Sequence, residues 1–210
     1  MFIGLFPLYL MSQSDSPSCR WIMLTYMSIR DEIKHRISEG RLFLFQPKIP
    51  GGRVVRTIVM STEINDLVNE PWPEGPEGVR RSFLRTDLEY FIGGGRINVC
   101  WEVGKGREHH QLGRLSPPED EIWDYRSVTP PPALRLFCRF AEKDVLVVLT
   151  CSPRSVAVSW LDRLPLLDRA SREWKLAKKE CRAEWSKLFP TYPPLKKDSV
   201  HEYLSNAFLQ

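Results

Sequence analysis

The sequence predicts an α+β fold with one long helix toward its C-terminus. Three observations predict it. Two helical segments lie between residues 61 and 91, the second with Val79, Phe83, Leu84, Leu88 and Phe91 near one side. A run of short strand-like segments follows, Ile122 to Arg126, Ala133 to Phe140 and Val145 to Arg154, joined by turn-forming residues as in an antiparallel meander. Then Trp174, Ala177, Cys181, Trp185 and Leu188 recur at helical spacing, marking a helix from Asp168 to Phe189.

Each element has a local reason. Ser28 is placed to cap a helix reaching Glu39, with Glu32 close to the capping-box position and Ile29, Ile33 and Ile37 on one side. Gly40 stops it. Arg41 to Phe45 and Val54 to Met60 are strand candidates, separated by Pro47, Pro50 and the Gly51-Gly52 turn. Ser61-Thr62-Glu63 opens a second helix to Asn69, and the stretch Glu70 to Gly78 is too rich in proline and glycine for regular structure. A third helix is expected over Val79 to Phe91, ended by Gly93-Gly94-Gly95. Arg96 to Val103 and Leu112 to Leu115 read as strands. Pro130-Pro131-Pro132 and Glu142-Lys143-Asp144 supply the turns of the meander. Phe189-Pro190 ends the long helix, and Asp198 to Gln210 is expected as a tail with one short helix.

The chain has 210 residues, 42% of them hydrophobic, which suits one domain, placed over 27–197 with a helical extension at 160–190. Residues 1–11 are apolar but too few to span a bilayer. Residues 1–26 are expected to be a disordered extension or sequence upstream of a start at Met27. Net charge is +4, and its distribution says more than its total. Cys151 to Lys197 holds eleven Lys/Arg against five Asp/Glu, leaving the remainder slightly acidic. The cysteines (19, 100, 138, 151 and 181) are scattered without CxxC spacing, which points to a reducing cytoplasm. Phosphate-loop, dinucleotide, zinc-protease and nucleophile-elbow patterns do not occur, so no metal or cofactor is expected.

In a meander, Arg126, Arg135 and Arg154 converge on one face. Guanidiniums that converge need an anion, and a phosphate fits their fork of donors. The segment from Leu115 through Glu121-Ile-Trp-Asp-Tyr-Arg126, Ala133-Leu-Arg-Leu-Phe-Cys-Arg-Phe140 and Asp144-Val-Leu-Val-Val-Leu-Thr150 to Pro153-Arg154 resembles the RelE/HigB-like toxins of bacterial toxin–antitoxin pairs. With the two helices before it, the resemblance covers roughly residues 61–154. It implies helices packed on one antiparallel sheet and a metal-independent mRNA endoribonuclease acting on RNA, in some members on ribosome-bound mRNA. It also implies a cognate antitoxin as partner. Arg126, Arg135 and Arg154 fall where the family places residues that hold the RNA and stabilise the reacting phosphate, and so are the catalytic candidates. This chain departs from the family in continuing well past Arg154 and in lacking an aromatic or histidine just after it.

Alternation on the second meander strand puts Arg135, Phe137 and Arg139 on one side, opposite Leu134, Leu136, Cys138 and Phe140. An exposed basic face with a stacking aromatic would suit single-stranded RNA, with Arg139, Lys143 and Phe137 as contacts. The alternative is a solvated sheet face with salt bridges to Asp124 and Asp144. Lys175, Lys179 and Arg182 of the long helix would extend an RNA groove. A guanidinium stays protonated, so a general base must come from elsewhere. His109, His110 and Tyr125 are the acid/base candidates, with His201, Glu121 and Asp124 as further options. Two other functions stay open: a non-catalytic nucleic-acid-binding or protein-interaction module, and an enzyme for a small anionic substrate.

Overall fold

The computed structural model describes residues 28–102, 110–153 and 169–209. Helix α1 (Ile29–Ser38) begins with a capping box in which Ser28 and Asp31 exchange side-chain-to-backbone hydrogen bonds. Asp31 takes the place expected for Glu32, which instead pairs with Arg36 one turn on. Strand β1 (Phe43–Leu44) is shorter than expected, and β2 (Thr57–Met60) leads into α2 (Thr62–Val68), capped by the Ser61 hydroxyl. Helix α3 (Pro76–Ile92) starts inside the segment expected as a loop. Its first residue is proline, whose missing N–H costs nothing there. Gly78 lets the helix start close to the preceding chain, since a Cβ at that position would stand 2.0 Å from the Pro73 carbonyl oxygen.

Strands β3 (Ile97–Cys100), β4 (Leu112–Arg114), β5 (Trp123–Ser127), β6 (Leu134–Glu142) and β7 (Val145–Pro153) follow, then α4 (Arg169–Leu188) and β8 (Ala207–Leu209). They form one sheet in the order β1-β2-β7-β6-β5-β4-β3-β8. The β5–β6–β7 meander is antiparallel, as its turns predicted. The sheet as a whole is mixed, which corrects the expectation of one antiparallel sheet. Strand β2 runs parallel to β7, and β3 runs parallel to both β4 and β8. Parallel neighbours need long crossover connections. Between β2 and β7 lie α2, α3 and strands β3 to β6.

Both faces of the sheet are buried. Ile64 and Val68 of α2 and Leu84, Leu88 and Phe91 of α3 pack on one face with Leu136, Cys138, Phe140, Leu146 and Val148. Ile33 of α1 and Ala177, Cys181, Trp185 and Leu188 of α4 pack on the other with Phe137, Val147 and Leu149. The result is a sheet between two helical layers. Arg36 of α1 donates its Nε–H to the carbonyl of Leu188 at 2.9 Å, closing the C-terminal end of α4.

Residues 198–209 are part of the fold and not a tail. The expected short helix is a single 3-10 turn, Val200–Glu202, and β8 after it pairs with β3, so α4 is not the last element. Tyr203 is fully buried, its ring 5.1 Å from that of Trp123 and 5.4 Å from that of Phe140. Asp144, in the left-handed conformation at the β6–β7 turn (φ 62°), accepts hydrogen bonds from the Ser205 backbone N–H (2.7 Å) and hydroxyl (2.6 Å).

Candidate functional site: a buried carboxylate shared by two arginines

Strand pairing brings two of the three predicted arginines together. Arg126 on β5 lies directly opposite Arg135 on β6. Like charges facing each other across a ladder repel. Asp124, two residues before Arg126 and therefore on the same face, resolves the conflict. Its Oδ2 accepts from Arg126 Nε at 2.7 Å and from Arg135 Nη1 at 3.1 Å. Asp124 itself is completely buried. Trp174 of α4 packs on the cluster, with the Arg135 guanidinium 4.8 Å from its ring centre and its ring in a T-shaped contact with Phe137. Arg154 lies outside the described residues.

On the far side of Asp124 stands His110. Its Nε2 is 3.9 Å from Asp124 Oδ1, too far for a hydrogen bond and close enough for an ion pair when the ring is protonated. Both Asp124 Oδ1 and His110 Nδ1 are buried without a hydrogen-bond partner. The space between the two side chains exists because residue 113 is glycine. A Cβ there would lie 2.5 Å from His110 Nε2 and 2.7 Å from Asp124 Oδ1. Gly113→Ala should therefore push the ring and carboxylate apart and destabilise the fold by about 1–3 kcal/mol. Urea unfolding measures the loss, and a shift of the His110 ring resonances locates it.

The other predicted residues are placed as follows. Phe137 is fully buried beneath α4, so it offers no stacking face, and Arg139 is only 7% exposed. Arg139 donates to the Asp120 carbonyl and lies over the Trp185 ring. The expected exposed basic face is thus an internal layer, because α4 covers it. The alternative reading held in its ion pairs to Asp124 and failed in its solvation. Lys143 is exposed, but at the opposite end of β6 from Arg135. Lys175 and Lys179 are exposed on α4, whereas Arg182 pairs with Asp120. Tyr125 is a core residue on the opposite face of the sheet. Its hydroxyl donates to the Asp87 carbonyl at 2.9 Å, and burial pushes its pKa far up, so it is no acid or base at this cluster. His109 lies outside the described residues, and His201 is exposed on the 3-10 turn.

A second buried network lies on the opposite face. Glu121, 2% exposed and left-handed at φ 50°, accepts from Arg114 and, at 2.7 Å, from the Tyr203 hydroxyl. Burial, then the bond to Glu121, raises the Tyr203 pKa. Glu121 is thereby committed to structure. Gly113 and Trp174 were not singled out as site residues from sequence. Gly113 carried a signal, since a glycine inside a strand marks a close approach. Among the described residues no group of three His, Cys, Asp or Glu side chains could hold a metal ion. No helix among them is long and apolar enough to cross a membrane. Comparison with protein-family models, curated proteins and solved structures finds no match to this chain.

Proposed function

We propose that this chain is an RNA-binding, RelE/HigB-like toxin protein, held in check by a cognate antitoxin. The observation that carries the reading is the Arg126–Arg135 pair. Two guanidiniums face each other across neighbouring strands and both donate to the Asp124 carboxylate, an arrangement of donors that also suits a phosphate. The order of elements agrees with it: a helix pair, α2 and α3, precedes an antiparallel meander that carries the arginines. Lys175 and Lys179 are exposed on α4, the helix that carries Trp174, and add cations that a nucleic-acid backbone could meet.

In the catalytic form of this reading the protein is a cytoplasmic, metal-independent endoribonuclease, with ribosome-bound mRNA as one possible substrate. The 2′-hydroxyl would attack the adjacent phosphorus and lose its proton to His110, the P–O5′ bond would break to leave a 2′,3′-cyclic phosphate, and the departing 5′-oxygen would take a proton from water. Arg126 and Arg135 would stabilise the charge gathering on the phosphate oxygens. A second reading, a non-catalytic nucleic-acid-binding module, is favoured by two specific observations. The His110 side chain is only 2% exposed, and Asp124 already engages both guanidiniums.

Expression from Met27 in bacteria separates the two. Growth arrest with loss of mRNA, abolished by His110→Gln in protein that still folds, supports the nuclease. RNA binding without arrest supports the module. Binding measured over a salt series tests the RNA reading common to both. Lys175→Gln/Lys179→Gln removes two surface cations without touching the core and should reduce the log–log salt slope by about 1.4, at roughly 0.7 per single-strand phosphate contact. An unchanged slope would move the RNA away from α4, and absence of binding would remove both readings.

A further inference from the structure

A cleft of about 530 Å³ opens where the start of α2 meets α4, beside β7 and the Gly40–Arg41 turn. Its size is that of a small-ligand site. Its charge is opposite to that of the chain as a whole. Glu63, Glu180 and Glu184 line it, against Arg41 and Lys187. One cation is directed elsewhere and the other pairs with a carboxylate of the cleft itself, which leaves Glu63 and Glu180 to set its charge. Arg41 donates to the Lys187 carbonyl at 3.3 Å, and the Lys187 ammonium sits 3.5 Å from Glu184. Partial desolvation raises the Glu63 pKa, and the Glu180 and Glu184 charges add to it, while the Cys151 backbone N–H works the other way.

A second observation is independent of the carboxylates. Thr150 also lines the cleft, is only 8% exposed, and holds its Oγ1 buried without a hydrogen-bond partner. A buried hydroxyl left unpaired is costly, so it marks a place where a ligand atom would be welcome. Leu149 and Leu188 give the same cleft an apolar side. Three carboxylates disfavour an anion. The described residues contain no cluster tight enough for a metal ion. The remaining fit is a cation that carries several N–H donors on a short hydrocarbon stem.

We propose that this cleft binds an alkylammonium group, its N–H donors shared between Glu63, Glu180 and Thr150 Oγ1 and its stem lying against Leu149 and Leu188. The group can come from a free diamine or from the lysine side chain of a bound peptide, and both present the same chemistry. The site is separate from the Asp124 cluster, so it stands or falls independently of the RNA reading.

The test is amide NMR of the full chain titrated with 1-aminobutane, 1-butanol, 1,4-diaminobutane and Nα-acetyl-lysine amide. 1-Aminobutane should shift the Thr150 and Leu149 amides, and its neutral isostere 1-butanol should not. Glu63→Gln should weaken the amine by about tenfold, as expected for loss of one charged hydrogen bond. Thr150→Val, an isosteric change that removes the unpaired hydroxyl, should weaken it about threefold or more while leaving the fold as stable or more so. Whichever of the diamine and the lysine amide binds more tightly identifies the source. Equal response to 1-butanol and 1-aminobutane, no response at Thr150 to any of the amines, or unchanged affinity in Glu63→Gln would each overturn the proposal.

Discussion

Asp124→Leu is expected to lower the stability of the folded chain by about 3–5 kcal/mol, the loss seen when one partner is removed from a buried ion network. The side chain removed is fully buried and accepts from both Arg126 and Arg135. Without it the two guanidiniums, which face each other across β5 and β6, lose the carboxylate that both of them engage. Asp124→Asn keeps the shape and one acceptor but loses the charge, and should cost about half as much. The double variant Asp124→Leu/Arg135→Met removes one of the two facing cations and should recover part of the loss, which a double-mutant cycle in urea would read as coupling. A single-variant loss below about 1 kcal/mol would mean that the arginines find water as readily as they find the carboxylate, and that the cluster is a surface feature.

That cluster was partly legible in the sequence. The meander predicted that Arg126 and Arg135 share a face, because the period of a strand is two and the turns set which strands pair. Asp124 was visible as a partner by the same spacing. What the alternation of β6 could not tell is whether the Arg135–Phe137–Arg139 face meets water or a helix. The clue lay in the neighbouring strand. Val145-Leu-Val-Val-Leu149 is apolar without alternation, the pattern of a strand buried on both faces, and a strand hydrogen-bonded to it shares its two coverings. Arginine at positions 135 and 139 is compatible with that burial because each stem packs while its head reaches an acceptor, Asp124 in one case and the Asp120 carbonyl in the other.

The mixed sheet was less legible. Nothing in Thr57–Met60 alone says that it will lie parallel to β7, since parallel pairing is decided by the long connection between the strands. The C-terminal strand β8 is too short to announce itself. It holds its place through contacts distant in sequence, and the most concentrated of these are made by a residue that composition would place on the surface.

Arg56 is that residue, and Arg56→Met is expected to cost at least about 3 kcal/mol, from acceptors left buried and unpaired. The side chain is 1% exposed. It donates to the Phe91 carbonyl at 3.0 Å, to the Gly95 carbonyl at 2.9 Å and to the Ser205 carbonyl, tying the end of α3, the start of β3 and the approach to β8 to one point. Its guanidinium lies 5.0 Å from the Phe91 ring centre and its Nε 3.7 Å from Asp144, whose charge opposes the downward pull of burial on the Arg56 pKa. Arg56→Lys keeps the charge but cannot span three carbonyls from one point charge, and should fall between wild type and Met. Hydrogen exchange gives the sharper reading. Loss of protection concentrated in β3, β8 and the last turn of α3 is the expected pattern, because those are the segments the guanidinium joins. Uniform loss across the sheet would instead assign the stability of Arg56 to its packing on Phe91, and would make the three carbonyl bonds a consequence of the fold in place of a cause.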